Sequence, residues 1–131
     1  MKTLFTLFLS CFIAAQADAQ LLNFNYNYEF EGAYNSRGYE VEMPGHPFKV
    51  FVAVVTTNFF GIVQSSCSYF EYDQMTGELG QPITLRNYMG IKNGWYVYNW
   101  YNSFVYIKTD LSRVRIQLGF YNGNYIEYTQ E

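Results

Sequence analysis

The chain is poor in cysteine, histidine and proline, carries no basic run, and has no apolar stretch long enough to cross a bilayer as a helix. Each shortage removes a class of chemistry. Of its two cysteines, Cys11 falls in an N-terminal segment that reads as a removable leader, which leaves Cys67 alone. A chain with one cysteine closes no internal disulfide, although residues 20–131 are enough to bury roughly two-thirds of their unfolded surface without one. Cys67 then fits either a buried thiol, acting as a small apolar side chain, or an intermolecular bridge that would make a disulfide-linked homodimer. The single histidine, His46 in "MPGHPF", excludes a multi-histidine zinc site, and its flanking prolines place it in a loop.

Eight Lys and Arg against eleven Asp and Glu give a net charge of −3, with no cluster of cations. That distribution argues against nucleic acid and against anionic membranes as electrostatic partners. No glycine-rich loop enters a helix, so a phosphate cradle is not expected. Every candidate glycosylation triplet ("NSR", "NFF", "NYM", "NSF") fails at its third position. Glu71 and Asp73 form a carboxylate pair of a kind common on exposed strands, and no nucleophile signature surrounds Cys67. An enzyme is therefore not expected, nor is a cofactor.

What the sequence does contain begins with "MKTLFTLFLSCFIAAQADAQ". One basic residue (Lys2), an apolar run from Leu4 to Ala15 and a small-x-small ending at Ala17–Ala19 have the layout of a secretory signal peptide. We expect residues 1–19 to be removed, residues 20–131 to form a single domain, and the product to be secreted and extracellular. The C-terminal "YIEYTQE" carries neither a retention signal nor a lipid-anchor signal.

From residue 21 onward, alternating or β-branched and aromatic runs recur between turn signals, and no window holds a helical period. The pattern predicts strands near 21–31, 39–43, 48–56, 59–64, 67–73, 83–88, 95–101, 104–109, 113–120 and 124–129. Asn-Gly pairs at 93–94 and 122–123 supply residues that tolerate positive φ, and the second is the clearest hairpin signal. Short strands joined by local turns define an all-β antiparallel domain. The run "VFVAVV" is apolar on both parities, which favours a β-sandwich or jelly-roll-like form; a small up-and-down β-barrel is the alternative.

Two clusters are candidate sites. In "LLNFNYNYEFE", Phe24, Tyr26, Tyr28 and Phe30 share one parity, and Asn25, Asn27, Glu29 and Glu31 share the other. If this strand folds back on 39–43 with Phe30 opposite Val41, Glu31 meets Glu40 and Glu29 meets Glu42. Four carboxylates on one face repel unless a cation such as Ca²⁺ or a nearby Lys49 or Arg37 relieves them, and a solvated face is the simpler reading. The second cluster follows from the aromatic content, 21% of residues, with 14 tyrosines. In "GWYVYNWYNSFVY", Trp95, Val97 and Tyr101 alternate with Tyr96, Tyr98 and Trp100, while Asn99 and Asn102 add amides. One such face can enter a core, and the other offers flat apolar surfaces beside hydrogen-bonding groups. Trp95, Tyr96, Tyr98, Asn99, Trp100 and Tyr101 are therefore the candidate binding residues, for a glycan or an extracellular protein. A structural or matrix protein that self-associates is the alternative expectation, and a carrier of a small apolar ligand is the third.

Overall fold

A computed structural model describes residues 23–131; the expected leader, Cys11 and the first residues of the opening strand lie outside the described residues. The strands are β1 (Phe24–Tyr34), β2 (Lys49–Phe59), β3 (Ile62–Glu71), β4 (Ile83–Leu85), β5 (Asn87–Lys92), β6 (Trp95–Trp100), β7 (Ser103–Lys108), β8 (Arg113–Gln117) and β9 (Tyr125–Gln130). All ladders between them are antiparallel, in the order β4-β3-β2-β1-β9-β8-β7-β6-β5. The domain is all-β, as its alternation requires. It takes the barrel form rather than the two-sheet sandwich: one sheet curls until its edges nearly meet, and the first and last strands pair.

Closure depends on the stretch Ile83–Lys92. Only Arg86 separates β4 from β5, and this one length of chain pairs first with β3 and then with β6. Leu85 and Tyr88 both face the core although they are three residues apart, so the pleat slips by one near Arg86. Beyond the Cys67–Leu85 pair the edges separate, leaving a groove of about 560 Å³ lined by Val55, Gln64, Ser66, Arg86 and Tyr88 among others.

Inward-facing residues follow the period of two. Val50, Val52 and Val54 of β2, Cys67 and Tyr69 of β3, Val105 and Ile107 of β7, Val114 and Ile116 of β8, and Ile126 and Tyr128 of β9 are all buried. "VFVAVV" is thus an alternating strand whose outward members, Phe51 and Ala53, are half-covered by the outer surface. Four tyrosines (Tyr28, Tyr69, Tyr98 and Tyr128) fill the interior. A buried phenol needs a partner. Tyr28 donates to the Leu111 carbonyl (2.8 Å), Tyr128 to the Pro47 carbonyl (3.2 Å), and Tyr98 shares a 2.6 Å bond with Ser65, which in turn meets Thr56 at 2.8 Å. The Tyr69 hydroxyl has no protein partner among the described residues. Tyr69→Phe should therefore leave stability unchanged or raise it by up to about 1 kcal/mol, whereas Tyr98→Phe, which cuts a made bond, should lower it by about 1 kcal/mol. Urea denaturation of the two variants reads the difference in sign.

Several expected elements change. Residues 39–43 form no strand; a single bridge joins Tyr34 to Glu40, and the loop folds over one end of the barrel, where Val41 and Met43 pack on the core. The segment expected as a separate strand at 59–64 belongs to two strands, because β2 and β3 turn at Phe60–Gly61. Asn122 and Gly123 do take left-handed φ (56° and 85°), but a 3-10 turn at Gly119–Tyr121 lengthens the β8–β9 connection. The detour lets Leu118 and Tyr121 pack against the core.

Strand β1 carries a bulge at Glu31–Gly32, opposite Glu127 of β9. A bulge sets two residues against one and reverses the facing of everything after it. Ala33 therefore turns inward with Ile126, and Tyr34 turns outward with Tyr125. The Tyr34 ring lies over Gly32, where a Cβ would stand 2.7 Å from its hydroxyl oxygen, so a larger residue there would displace the ring.

Candidate functional site

The outer face of β6 to β9, continued onto β1, carries a surface organised in cross-strand rows. Asn99 faces Phe104, Phe104 faces Gln117, the Ile116–Ile126 pair sets Gln117 alongside Tyr125, and Tyr125 faces Tyr34. Amide and aromatic side chains thus alternate from Asn99 to Tyr125, and the row ends on a second aromatic, Tyr34. Asn87 extends the row onto β5 and donates its amide to Asn99 (2.7 Å), which in turn donates to the Tyr101 carbonyl (3.1 Å). Both asparagines are fixed by these bonds.

The next row is Val97, Tyr106, Arg115 and Glu127. The Arg115 guanidinium lies 4.3 Å from the Trp95 ring centroid and 5.1 Å from that of Tyr125, and its Nε donates to Glu127 at 2.7 Å. Arg113 donates to Glu127 (3.0 Å) and to Glu31 (2.7 Å). Glu127 is only 6% exposed, so its charge is kept in a largely dry site by two cations. The Glu31 carboxylate, followed by Glu127, lifts Arg113 above the ordinary guanidinium value. Burial lifts the Tyr106 phenol, with Arg115 opposing it. The Phe104 and Tyr106 rings stack at 6.0 Å and 16°, and the Tyr34 and Tyr125 rings meet at 5.5 Å. A hollow of about 240 Å³ opens among Ser36, Tyr106, Arg115, Gln117, Gly123 and Tyr125.

The six candidates of the aromatic strand do not share one face. Trp95 and Asn99 belong to the outer surface just described. Tyr98 is fully buried, and Tyr96 packs against the core from the same side. Trp100 and Tyr101 stand at the β6–β7 turn, where the Arg86 guanidinium lies 5.7 Å from the Trp100 ring. Phe104, Tyr106, Arg115, Tyr125 and Tyr34 were not legible as site residues, because only ladder register brings them beside Trp95. The alternation of Arg and Gln with Val and Ile in 113–117 was the available signal for an outward polar face on that strand.

The glutamates are likewise redistributed. Since β1 pairs along its length with β2 and β9 and meets 39–43 only through the Tyr34–Glu40 bridge, the expected Phe30–Val41 register does not form. Glu31 is held by Arg113, and Glu29 lies opposite Lys49 in the ladder. Glu40 and Glu42 line, with Glu31 and His46, a hollow of about 360 Å³, but no three metal-ligating side chains converge among the described residues. Asn27 accepts a 2.6 Å bond from the Tyr72 hydroxyl.

His46 stacks on Phe30 at 3.8 Å and 15°, as a loop residue sealing the barrel end. The Asp73 carboxylate accepts the backbone N–H groups of Thr76 and Met75, which hold its pKa below the usual carboxylate value. Cys67 is a free thiol in the interior, where burial raises its pKa and another copy's sulfur could reach it only if the barrel opened. No helix among the described residues is long and apolar enough to cross a membrane. Compared with protein families, curated proteins and solved structures, the chain matches none.

Proposed function

We propose that the protein is a secreted extracellular recognition module that binds a glycan chain across the outer face of β6 to β9 and β1. The observation that carries this reading is the row Asn99–Phe104–Gln117–Tyr125–Tyr34, which sets two amides and three aromatic faces side by side along the surface. Neighbouring strands lie roughly 4.8 Å apart, so a row crossing five strands offers a track about 19 Å long, enough for several sugar rings. Aromatic faces suit the C–H faces of pyranose rings, and amides suit their hydroxyls. The row itself holds no charged residue, and Arg115 beside it is engaged by Glu127 and two rings, which favours a neutral polysaccharide over an acidic one. The filled barrel interior gives the apolar-carrier reading no support.

Affinity electrophoresis through gels containing neutral polysaccharides tests the proposal. Retardation of the wild-type chain is expected with at least one of them. Tyr125→Ala and Trp95→Ala should each weaken binding by about 10-fold or more, as loss of a central aromatic contact does. Retardation that both variants retain in full would refute the site, and capture of a protein partner with no polysaccharide binding would refute the ligand class.

A further inference from the structure

The β2–β3 hairpin reaches past its neighbours. Strand β1 pairs with β2 up to Phe24–Val54, and β4 pairs with β3 only from Cys67 onward. Among the described strand ladders, Thr57–Gln64 is paired only with itself. At its tip Phe59, Phe60 and Ile62 are 71%, 91% and 63% exposed, with Val55 and Val63 exposed behind them.

The turn sets a bulky aromatic in left-handed backbone, as the β6–β7 turn does at Tyr101 (φ 56°). Phe60 and Gly61 take φ values of 52° and 85°, the left-handed pair of a two-residue hairpin turn. At the two-residue turn 93–94 the first position is asparagine, with φ of 53°. Asparagine tolerates that conformation, and a bulky aromatic is disfavoured there. Turn chemistry therefore does not account for Phe60, nor does packing, since the ring is almost wholly in water. Its nearest aromatic neighbour is Phe59, at 4.5 Å.

The surroundings narrow the partner. Between Lys49 and Glu71 no residue is charged, and the arms behind the tip carry Thr57, Asn58, Gln64 and Ser66. An apolar point above a collar of uncharged hydroxyls and amides matches the succession from acyl chains to headgroups at a bilayer surface. A stable protein contact needs roughly 800 Å² per partner and a complementary shape, which a two-residue turn does not offer. A lipid surface needs only apolar side chains that can enter it. With a net charge of −3 and no cation on the hairpin, the favoured surface is zwitterionic rather than anionic.

We propose that the β2–β3 tip is a membrane-surface anchor that inserts Phe59, Phe60 and Ile62 into the interface of a neutral bilayer, while the barrel stays in water. The proposal is independent of the glycan site. The test is flotation of the chain beginning at Gln20, which holds every described strand, with vesicles of pure phosphatidylcholine. Wild type should float with the vesicles, as strongly at high salt as at low. Phe60→Asn should weaken the partition by about 10-fold or more through loss of one inserted aromatic. The same variant should be at least as stable as wild type in urea, because asparagine suits the turn, so loss of binding could not be ascribed to unfolding. Absence of wild-type flotation, or equal flotation of Phe60→Asn, would overturn the anchor. So would binding confined to vesicles containing anionic lipid. A concentration-dependent dimer in sedimentation that Phe60→Asn abolishes, with no vesicle binding, would assign the tip to self-association instead.

Discussion

Raising the pH above 10 should unfold this protein over a narrow range. Burial lifts the phenols of Tyr28, Tyr69, Tyr98 and Tyr128 well above the ordinary tyrosine value of 10.0. In the unfolded chain these groups lose their protons near pH 10, whereas in the barrel they keep them. The folded state then binds more protons than the unfolded state, so stability falls as pH rises. The contribution is fully present below pH 10 and is lost on the way up toward the folded-state values. Each group gives a slope of about 1.4 kcal/mol per pH unit, so four titrating together remove about 5 kcal/mol in a single unit. A domain of this size has a total stability of about 5–15 kcal/mol. Phenolate absorbance and far-ultraviolet dichroism followed in one alkaline titration should change together and cooperatively for these tyrosines. Smooth ionisation of every tyrosine near pH 10 with the fold retained would show that the four are not buried in solution.

Replacing both Arg113 and Arg115 by methionine should cost about 3 kcal/mol or more. Methionine keeps much of the apolar stem that covers Glu127 but supplies no donor, so a carboxylate buried on the outer face loses both of its cations. An unpartnered buried charge is among the costliest single defects a fold can carry. The converse change, Glu127→Gln, should cost far less, because the guanidinium groups are more than one-third exposed and can turn to water. Thermal denaturation of the two variants at neutral pH measures the asymmetry; equal destabilisation would show that Glu127 is hydrated rather than held. The double arginine variant should also loosen Trp95 and Tyr125, which Arg115 bridges, and so weaken glycan binding along with stability.

Strand content was readable because an alternating side-chain pattern satisfies only extended chain. Val50, Val52 and Val54 form the core face of β2, a choice that "VFVAVV", apolar on both parities, left open. The wet face of β1 was readable. Asn25 and Glu29 are exposed, and Glu31 meets water and Arg113. The error over Glu40 and Glu42 had one source. A hairpin between adjacent segments was assumed, but the 35–48 loop was needed to cap the barrel, where Tyr128 bonds the Pro47 carbonyl and His46 covers Phe30. In the aromatic strand, both parities looked alike because Trp, Tyr and Val suit either a core or a sheet surface. Only the packing of Tyr98 beside Ser65 shows which side is inside.

Composition and period by themselves determined an antiparallel all-β domain with no internal disulfide in residues 20–131, and the two parities of β1. These are local properties, since each side chain's facing follows from its neighbours two residues away. Tertiary structure alone decided that β1 closes on β9, that Ile83–Lys92 serves two partners in turn, and that Tyr34 looks outward. A one-residue bulge at Glu31–Gly32 reverses facing without altering composition, and ladder register joins residues nearly a hundred positions apart. Tyr34 and Tyr125 became neighbours by that route, and the candidate site exists because they did.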